Sequence, residues 1–260
     1  MILVFGGTTE GRKVATLLQE KLMPFVYSTK TSISFKETQI ASYRYGALTE
    51  KDLENYLIEN KIQTIINASH PFAEILHKTI AKVAEKLQIP VIRFGRELLS
   101  KTINSSVFYV KNYTDALNLL SSEKTVLALT GVQSIKVLKP WWQKNTTYFR
   151  ILNRPESLAI ASESNFPKNQ LILEFPSSDL DKEISIIKEK NIDIILTKET
   201  GNSGFLNTKI QAALKTDTQI IIIKQPKIPK YFKMVFNETE LMNALSVLLP
   251  ISLTLKNSKT

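Results

Sequence analysis

The chain opens on "MILVFGGTTEGR", Met1–Arg12. Ile2–Phe5 is a run of four large apolar residues, too short for a helix and suited to a strand covered on both faces. Gly6 and Gly7 break the run. Glu10–Leu22 then reads as a helix, with Val14, Leu17 and Leu18 on one face. A strand that ends in a glycine turn and feeds a helix is the context a phosphate loop needs. Glycine lets the backbone turn sharply, and the helix start offers N–H groups and the positive end of a dipole. Thr8 and Thr9 add hydroxyls. The spacing of Gly6, Gly7 and Gly11 departs from G-x-G-x-x-G, and a plain strand–helix turn carries the same residues. The loop by itself therefore leaves the nucleotide open.

The same rhythm continues along the chain. Strands are expected at Phe25–Ser28, Gln39–Tyr43, Thr64–Asn67 and Pro90–Phe94. Between them lie a helix capped by Thr49, with Asp52 three residues on, and a long helix over Pro71–Leu87. The alternation restarts with strands at Lys124–Leu129, Thr147–Leu152, Leu171–Leu173, Asp193–Leu196 and Gln219–Ile223. Alternation of this kind implies parallel sheets with right-handed crossovers. The expected architecture is α/β: two Rossmann-like domains, each a mostly parallel five-stranded sheet flanked by helices, with a cleft between them. The pattern lapses in "ELLSKTINSS", Glu97–Ser106. The expected division is residues 1–98, a dinucleotide-binding domain, and residues 99–260, a domain contributing to the substrate cleft.

Composition narrows the chemistry. The 260 residues include no cysteine and two histidines, His70 and His77. Disulfides, thiolate catalysis and a histidine-rich metal site are thereby removed, and no metal is expected. The start does not read as a signal peptide, and Leu241–Leu255 is too short and too polar to span a bilayer. The expectation is a soluble, cytoplasmic protein with no membrane partner, a monomer or weak homo-oligomer. Net charge is +10, with 13 basic against 10 acidic groups in residues 1–98 and 21 against 14 in residues 99–260. Such a balance fits an acidic small ligand, a nucleic acid, or a lysine-rich composition with no functional meaning. The lysines are dispersed and match no nucleic-acid motif, so no nucleic-acid partner is expected.

Ligands of parallel sheets bind beyond the carboxyl ends of the strands. The second strand ends in Ser28, Thr29 and Lys30, with no carboxylate before Glu37. A nicotinamide cofactor with a free ribose 2′-hydroxyl usually meets an acid here. Hydroxyls and a lysine suit a 2′-phosphate, which favours NADPH over NADH. "NASHPFAE", Asn67–Glu74, follows the fourth strand and offers Ser69 and His70 as helix caps or proton-handling groups. "LTKETGNSG", Leu196–Gly204, carries Lys198, a candidate donor to a carboxylate or a developing charge.

Together these stretches resemble the precorrin-6A reductase family of cobalamin biosynthesis, including its cobalt-precorrin-6A branch. The carriers are "GGTTEGR" (Gly6–Arg12), "NASHPFA" (Asn67–Ala73), "IPVIRFGR" (Ile89–Arg96), "RILNRPES" (Arg150–Ser157) and "TKETGNSGFLNTKIQAA" (Thr197–Ala213). The resemblance implies an NAD(P)H-dependent reduction of one double bond of a tetrapyrrole macrocycle, with hydride delivered to C19. It implies that Gly6, Gly7, Thr8, Thr9, Glu10, Gly11, Ser28, Thr29 and Lys30 hold the cofactor. A substrate with several carboxylates calls for arginine, so Arg93, Arg96, Arg150 and Arg154 are the expected substrate contacts. Lys198, His70 and Ser69 are the candidate catalytic groups. The second half departs from the family pattern at Val132, at "TKETGNSG" and at "LEFPSS", Leu173–Ser178. Two alternatives stay open: a non-catalytic nucleotide- or nucleic-acid-binding protein of the same fold, and another Rossmann-type oxidoreductase. The short-chain dehydrogenase form of the latter needs Tyr-x-x-x-Lys, and none of the eight tyrosines has a lysine four residues on.

Overall fold

A computed structural model describes residues 1–97, 100–201 and 204–249. The strands are β1 (Ile2–Phe5), β2 (Phe25–Thr29), β3 (Ala41–Tyr45), β4 (Thr64–Asn67), β5 (Val91–Phe94), β6 (Val107–Val110), β7 (Val126–Leu129), β8 (Thr147–Ile151), β9 (Leu171–Leu173), β10 (Ile194–Lys198), β11 (Gln219–Ile223) and β12 (Lys233–Val235). The helices are α1 (Thr9–Glu20), α2 (Glu50–Glu59), α3 (Glu74–Leu87), α4 (Tyr113–Leu119), α5 (Ser134–Val137), α6 (Lys139–Trp142), α7 (Pro155–Glu163), α8 (Leu180–Glu189), α9 (Leu206–Lys215) and α10 (Glu238–Leu248).

All pairings between strands are parallel, in two six-stranded sheets. The first has the order β12-β5-β4-β1-β2-β3 and the second β6-β11-β10-β7-β8-β9. The first is the doubly wound order 3-2-1-4-5-6 counted from β1, and the second is 3-2-1-4-5 counted from β7, with the earlier strand β6 in the sixth place. Five strands per sheet were expected, and β6 and β12 are the additions. Both sit at an outer edge, and each comes from the far side of the chain. β6 follows β5 in sequence yet pairs with β11, while β12 follows β11 yet pairs with β5.

The chain accordingly divides into Met1–Glu97 with the segment from Pro226, and Leu98–Gln225. The expected second domain ran on to residue 260. Instead β12 and α10 return to the first unit, because Val235, Leu241, Ala244 and Leu245 complete the apolar layer of Ile2, Val4, Val14, Leu18 and Ile66. The expected 98/99 boundary and the tail Asn257–Thr260 lie outside the described residues. β1 and β4 are buried at every position, as a central parallel strand covered on both faces requires.

Local signals set the helix starts. Thr49 caps α2 in a full capping box with Asp52. Asn112, Asp179 and Asn237 cap α4, α8 and α10 through their side chains. α3 begins at Glu74 rather than at Pro71, and its N-cap is Ala73 without a side-chain bond. Neither Ser69 nor His70 caps it, because His70–Ala73 closes its own turn through Ala73 N–H to the His70 carbonyl, 2.9 Å.

Candidate functional site

The first sheet reverses its order of connection between β1 and β4. In open α/β sheets ligands bind at such a point, beyond the carboxyl ends of the strands. Two loops meet at this point: Gly6–Thr8 after β1, and Ala68–Phe72 after β4. Thr8 joins them. Its hydroxyl donates to the Ala68 carbonyl at 2.7 Å and accepts from Gly11 N–H at 2.9 Å, as the N-cap of α1.

Each glycine of the first loop has its own cause. Gly7 takes φ +86°, a region that favours glycine, and its N–H donates to the Tyr27 hydroxyl at 2.9 Å. A Cβ at Gly6 would stand 2.3 Å from the Tyr27 ring, and one at Gly11 2.7 Å from the Gly6 Cα. Tyr27 thus lies directly against the turn, and α1 starts in backbone contact with it. The tyrosine belongs to a stacked aromatic series with Phe35, Tyr43 and Tyr45. This cradle fits a pyrophosphate, since the N–H groups of a first helical turn have no intrahelical acceptor and a phosphate can take that place. Thr9 and Glu10 supply the N–H groups of that turn. The Glu10 carboxylate is drawn to Arg96, 2.7 Å away, and both side chains are mostly buried. The acid at the start of α1 is thereby neutralised.

Behind the second loop is a buried polar network. Asn67 Oδ1 accepts from Ser69 Oγ at 2.7 Å, Ser69 N–H at 3.2 Å and Arg93 Nη1 at 2.9 Å. Its Nδ2 lies 2.9 Å from His77 Nδ1, and His77 Nε2 lies 3.1 Å from the Pro71 carbonyl. Desolvation, then the nearby Arg93 charge, lowers the His77 pKa to about 4, so the ring is neutral. A neutral ring that accepts from Asn67 must carry its proton on Nε2 and give it to Pro71. Burial also lowers the Arg93 pKa, to about 10.

Ser69 is thus a buried donor to Asn67 rather than an exposed acid, while His70 is exposed, with Nδ1 accepting from Phe72 N–H at 3.2 Å. Of the four expected substrate arginines, Arg93 is 2% exposed and faces Asn67, and Arg96 faces Glu10. Arg150 is buried and donates to Glu183 at 2.7 Å. Arg154 is exposed just before α7. An arginine within an apolar strand covered on both faces must find an internal acceptor, which explains Arg93 in "VIRF" and Arg150 in "YFRI". Lys198 ends β10 with its ammonium 5.8 Å from the centre of the Tyr113 ring. Burial raises the Tyr113 hydroxyl to about 12, against the opposing pull of Thr130 and Ser134.

At the end of β2, Thr29 Oγ1 donates to the Thr31 carbonyl at 2.8 Å and lies 2.8 Å from the Tyr43 hydroxyl. Ser28 Oγ accepts from Arg44 at 2.6 Å, and Lys30 is exposed. Tyr27, Arg44, Asn67 and His77 were not anticipated as site residues. His77 was legible as part of the buried face of α3 with Ile80, Val83 and Ala84, at helical spacing. Among the described residues no helix is long and apolar enough to cross a membrane, and no group of three His, Asp or Glu could hold a metal ion.

Fold and loop together define a doubly wound α/β protein with a tight glycine turn at its first switch point. Residues 1–246 match the family model described as precorrin-6x reductase CbiJ/CobK. The chain is 30% identical over 235 residues to a cobalt-precorrin-6A reductase of Methanococcus maripaludis, covering 87% of this chain and 92% of that one. It is 25% identical over 234 residues to a precorrin-6A reductase of Rhodococcus erythropolis, covering 88% and 90%. The fold is also similar to a solved CobK precorrin-6A reductase, with a TM-score of 0.79, 18% identity and coverage of 95% and 96%. The protein belongs to the precorrin-6A reductase family of cobalamin biosynthesis, oxidoreductases acting on a CH–CH bond, and a reductase of this kind implies a nicotinamide cofactor.

Proposed function

We propose that this chain is an NADPH-dependent reductase of precorrin-6A or cobalt-precorrin-6A, adding hydride to C19 of the macrocycle. The observation that carries the reading is the Gly6–Gly11 turn at the β1/β4 switch point, tied by Thr8 to the loop after β4. When bound, the nicotinamide supplies the hydride. The protein's own part is placement and charge. Thr9 and Glu10 would meet the pyrophosphate through backbone N–H groups, and Thr8 would hold the turn rather than the phosphate. Ser28, Thr29 and Lys30 lie toward the adenosine end.

Asn67, His77, Ser69 and Arg93 fix the course of the loop after β4, so that His70 stands at its exposed side. Of the three candidate proton donors, Ser69 already gives its proton to Asn67. His70 and Lys198 keep that role in the reading. Arg154 has the exposure a carboxylate contact needs, whereas Arg93, Arg96 and Arg150 act by supporting the loops and strands around them. The basic balance of the second half supports a polycarboxylate substrate.

The test is anaerobic incubation with precorrin-6A and with its cobalt form, following loss of dihydronicotinamide absorbance. Oxidation of NADPH dependent on one of these macrocycles is expected. Absence of oxidation with both macrocycles and both cofactors would refute the reading.

A further inference from the structure

At the carboxyl edge of the first sheet three residues stand in a row. Phe5 pairs with Ser28, and Ser28 pairs with Arg44. In a doubly wound sheet the pyrophosphate lies at the turn after the first strand, and the adenosine ribose extends over the end of the second. Neighbouring strands are about 4.8 Å apart, so the Arg44 backbone stands about two such spacings from the glycine turn.

The Arg44 guanidinium is held from several sides. Nη1 donates to Ser28 Oγ at 2.6 Å, and Nη2 donates to the Tyr45 and Gly46 carbonyls, each at 3.1 Å. Its central carbon lies 5.5 Å from the centre of the Tyr56 ring. Gly46, at φ +109°, turns the chain so that its N–H reaches the Thr29 and Lys30 carbonyls, lacing the end of β3 to the end of β2. Every partner of Arg44 is neutral, and no carboxylate among the described residues pairs with it. The charge is fixed in place and left uncompensated. Ser28, 2% exposed, accepts from Arg44 and has no acceptor for its own hydroxyl proton among the described residues.

A planar guanidinium beside an unused hydroxyl proton matches a phosphate dianion. We propose that Arg44, with Ser28, binds the 2′-phosphate of NADPH and sets the preference for NADPH over NADH. The proposal rests on the reading of the Gly6–Gly11 turn as the dinucleotide site. It assigns the discriminating charge to β3 rather than to Lys30, which is exposed and holds no ion pair among the described residues.

The test is calorimetric titration of the full chain with NADPH, NADH, adenosine 2′,5′-bisphosphate and 5′-AMP, in the parent, Arg44→Ala, Arg44→Gln and Lys30→Ala. The glutamine variant keeps a donor toward Ser28. The parent is expected to favour both 2′-phosphorylated ligands. Loss of a charged phosphate contact should weaken them about 10- to 100-fold in both Arg44 variants, with NADH and 5′-AMP unchanged. Retention of the parent's preference in Arg44→Gln overturns the proposal and leaves the dinucleotide reading standing. So does transfer of the loss to Lys30→Ala. A parallel loss of NADH and NADPH in variants that keep the parent's melting temperature also overturns it. A parent that binds no dinucleotide overturns both.

Discussion

In the second unit, Arg150 on β8, Glu183 on α8 and Lys209 on α9 form a buried charge cluster, at 6%, 2% and 3% exposure. Arg150 pairs with Glu183 at 2.7 Å, Lys209 feels the charges of both, and Arg150 Nη2 is buried without a hydrogen-bond partner. Glu183→Gln removes the one anion and leaves both cations in low dielectric. Breaking a buried pair in this way costs about 3 to 5 kcal/mol. Lys209 carries a second, pH-dependent signature. Desolvation, then repulsion from Arg150, lowers its pKa from 10.5 to about 8, against the opposing pull of Glu183. Below pH 8 both folded and unfolded chains hold the proton, so the full cost of burying the charge applies. Between pH 8 and 10.5 the folded chain sheds the proton first, and stability rises with pH. The size of that rise, at roughly 1.4 kcal/mol per pH unit, is about 3 kcal/mol. Lys209→Met removes it, so the variant should equal or exceed the parent at pH 7 and lose its advantage as pH approaches 10.5. Both tryptophans, Trp141 and Trp142, belong to this unit, so denaturant unfolding read by tryptophan fluorescence reports on it. A Glu183→Gln variant within about 1 kcal/mol of the parent, inside the ordinary range of single substitutions, would refute the reasoning. So would a gap between parent and Lys209→Met that ignores pH.

Four further outcomes follow, three from the first unit and one from the second. Gly6→Ala drives a Cβ into the Tyr27 ring, so it should abolish dinucleotide binding, and Tyr27→Leu in the same chain should restore part of it; calorimetry decides. Arg96→Ala exposes the phosphate turn to the Glu10 carboxylate, weakening NADPH and NADH alike by about 10-fold, and adding Glu10→Gln should recover most of the loss. His77 is held neutral with its pKa lowered from 6.5 to about 4. As pH falls below 6.5 the unfolded chain protonates first, so about 3 kcal/mol is lost by pH 4; amide exchange in β4 should track that loss in the parent and a shallower one in His77→Gln. Arg154→Ala should raise KM for the macrocycle with little change in kcat, whereas an unchanged KM would remove Arg154 as a carboxylate contact.

Legibility in the sequence followed the range of each interaction. β1, its glycine turn and α1 are a local pattern, and Thr49 and Asp52 write their capping box in four consecutive residues. β6 and β12 were not legible, because "VFYV" and "KMV" are short and their partners lie more than 100 residues away in sequence. At the site, the loops were found because the carboxyl-edge rule locates them without side-chain detail. The roles within them were less accessible. Ser69 and His70 are adjacent in sequence, yet one is spent on Asn67 and the other faces outward. Arg44 sits on a strand rather than in a turn, so only the β2–β3 register brings it beside Ser28.

The exchange of outer strands bears on how the molecule comes into being. A ribosome delivers β1–β5 early, but the strand that borders β5 and the helix that covers Ile2 and Val4 arrive only after all of β6–β11. The nascent first unit must therefore wait with β5 as an open sheet edge, a template for unwanted pairing, until β12 emerges. The second unit has β6 in hand from the start and can close as soon as β11 is made. Maturation would then run against the order of synthesis, with the first unit completed last. A fragment ending at Glu97 would lack β12 and α10, the pieces on which that half depends.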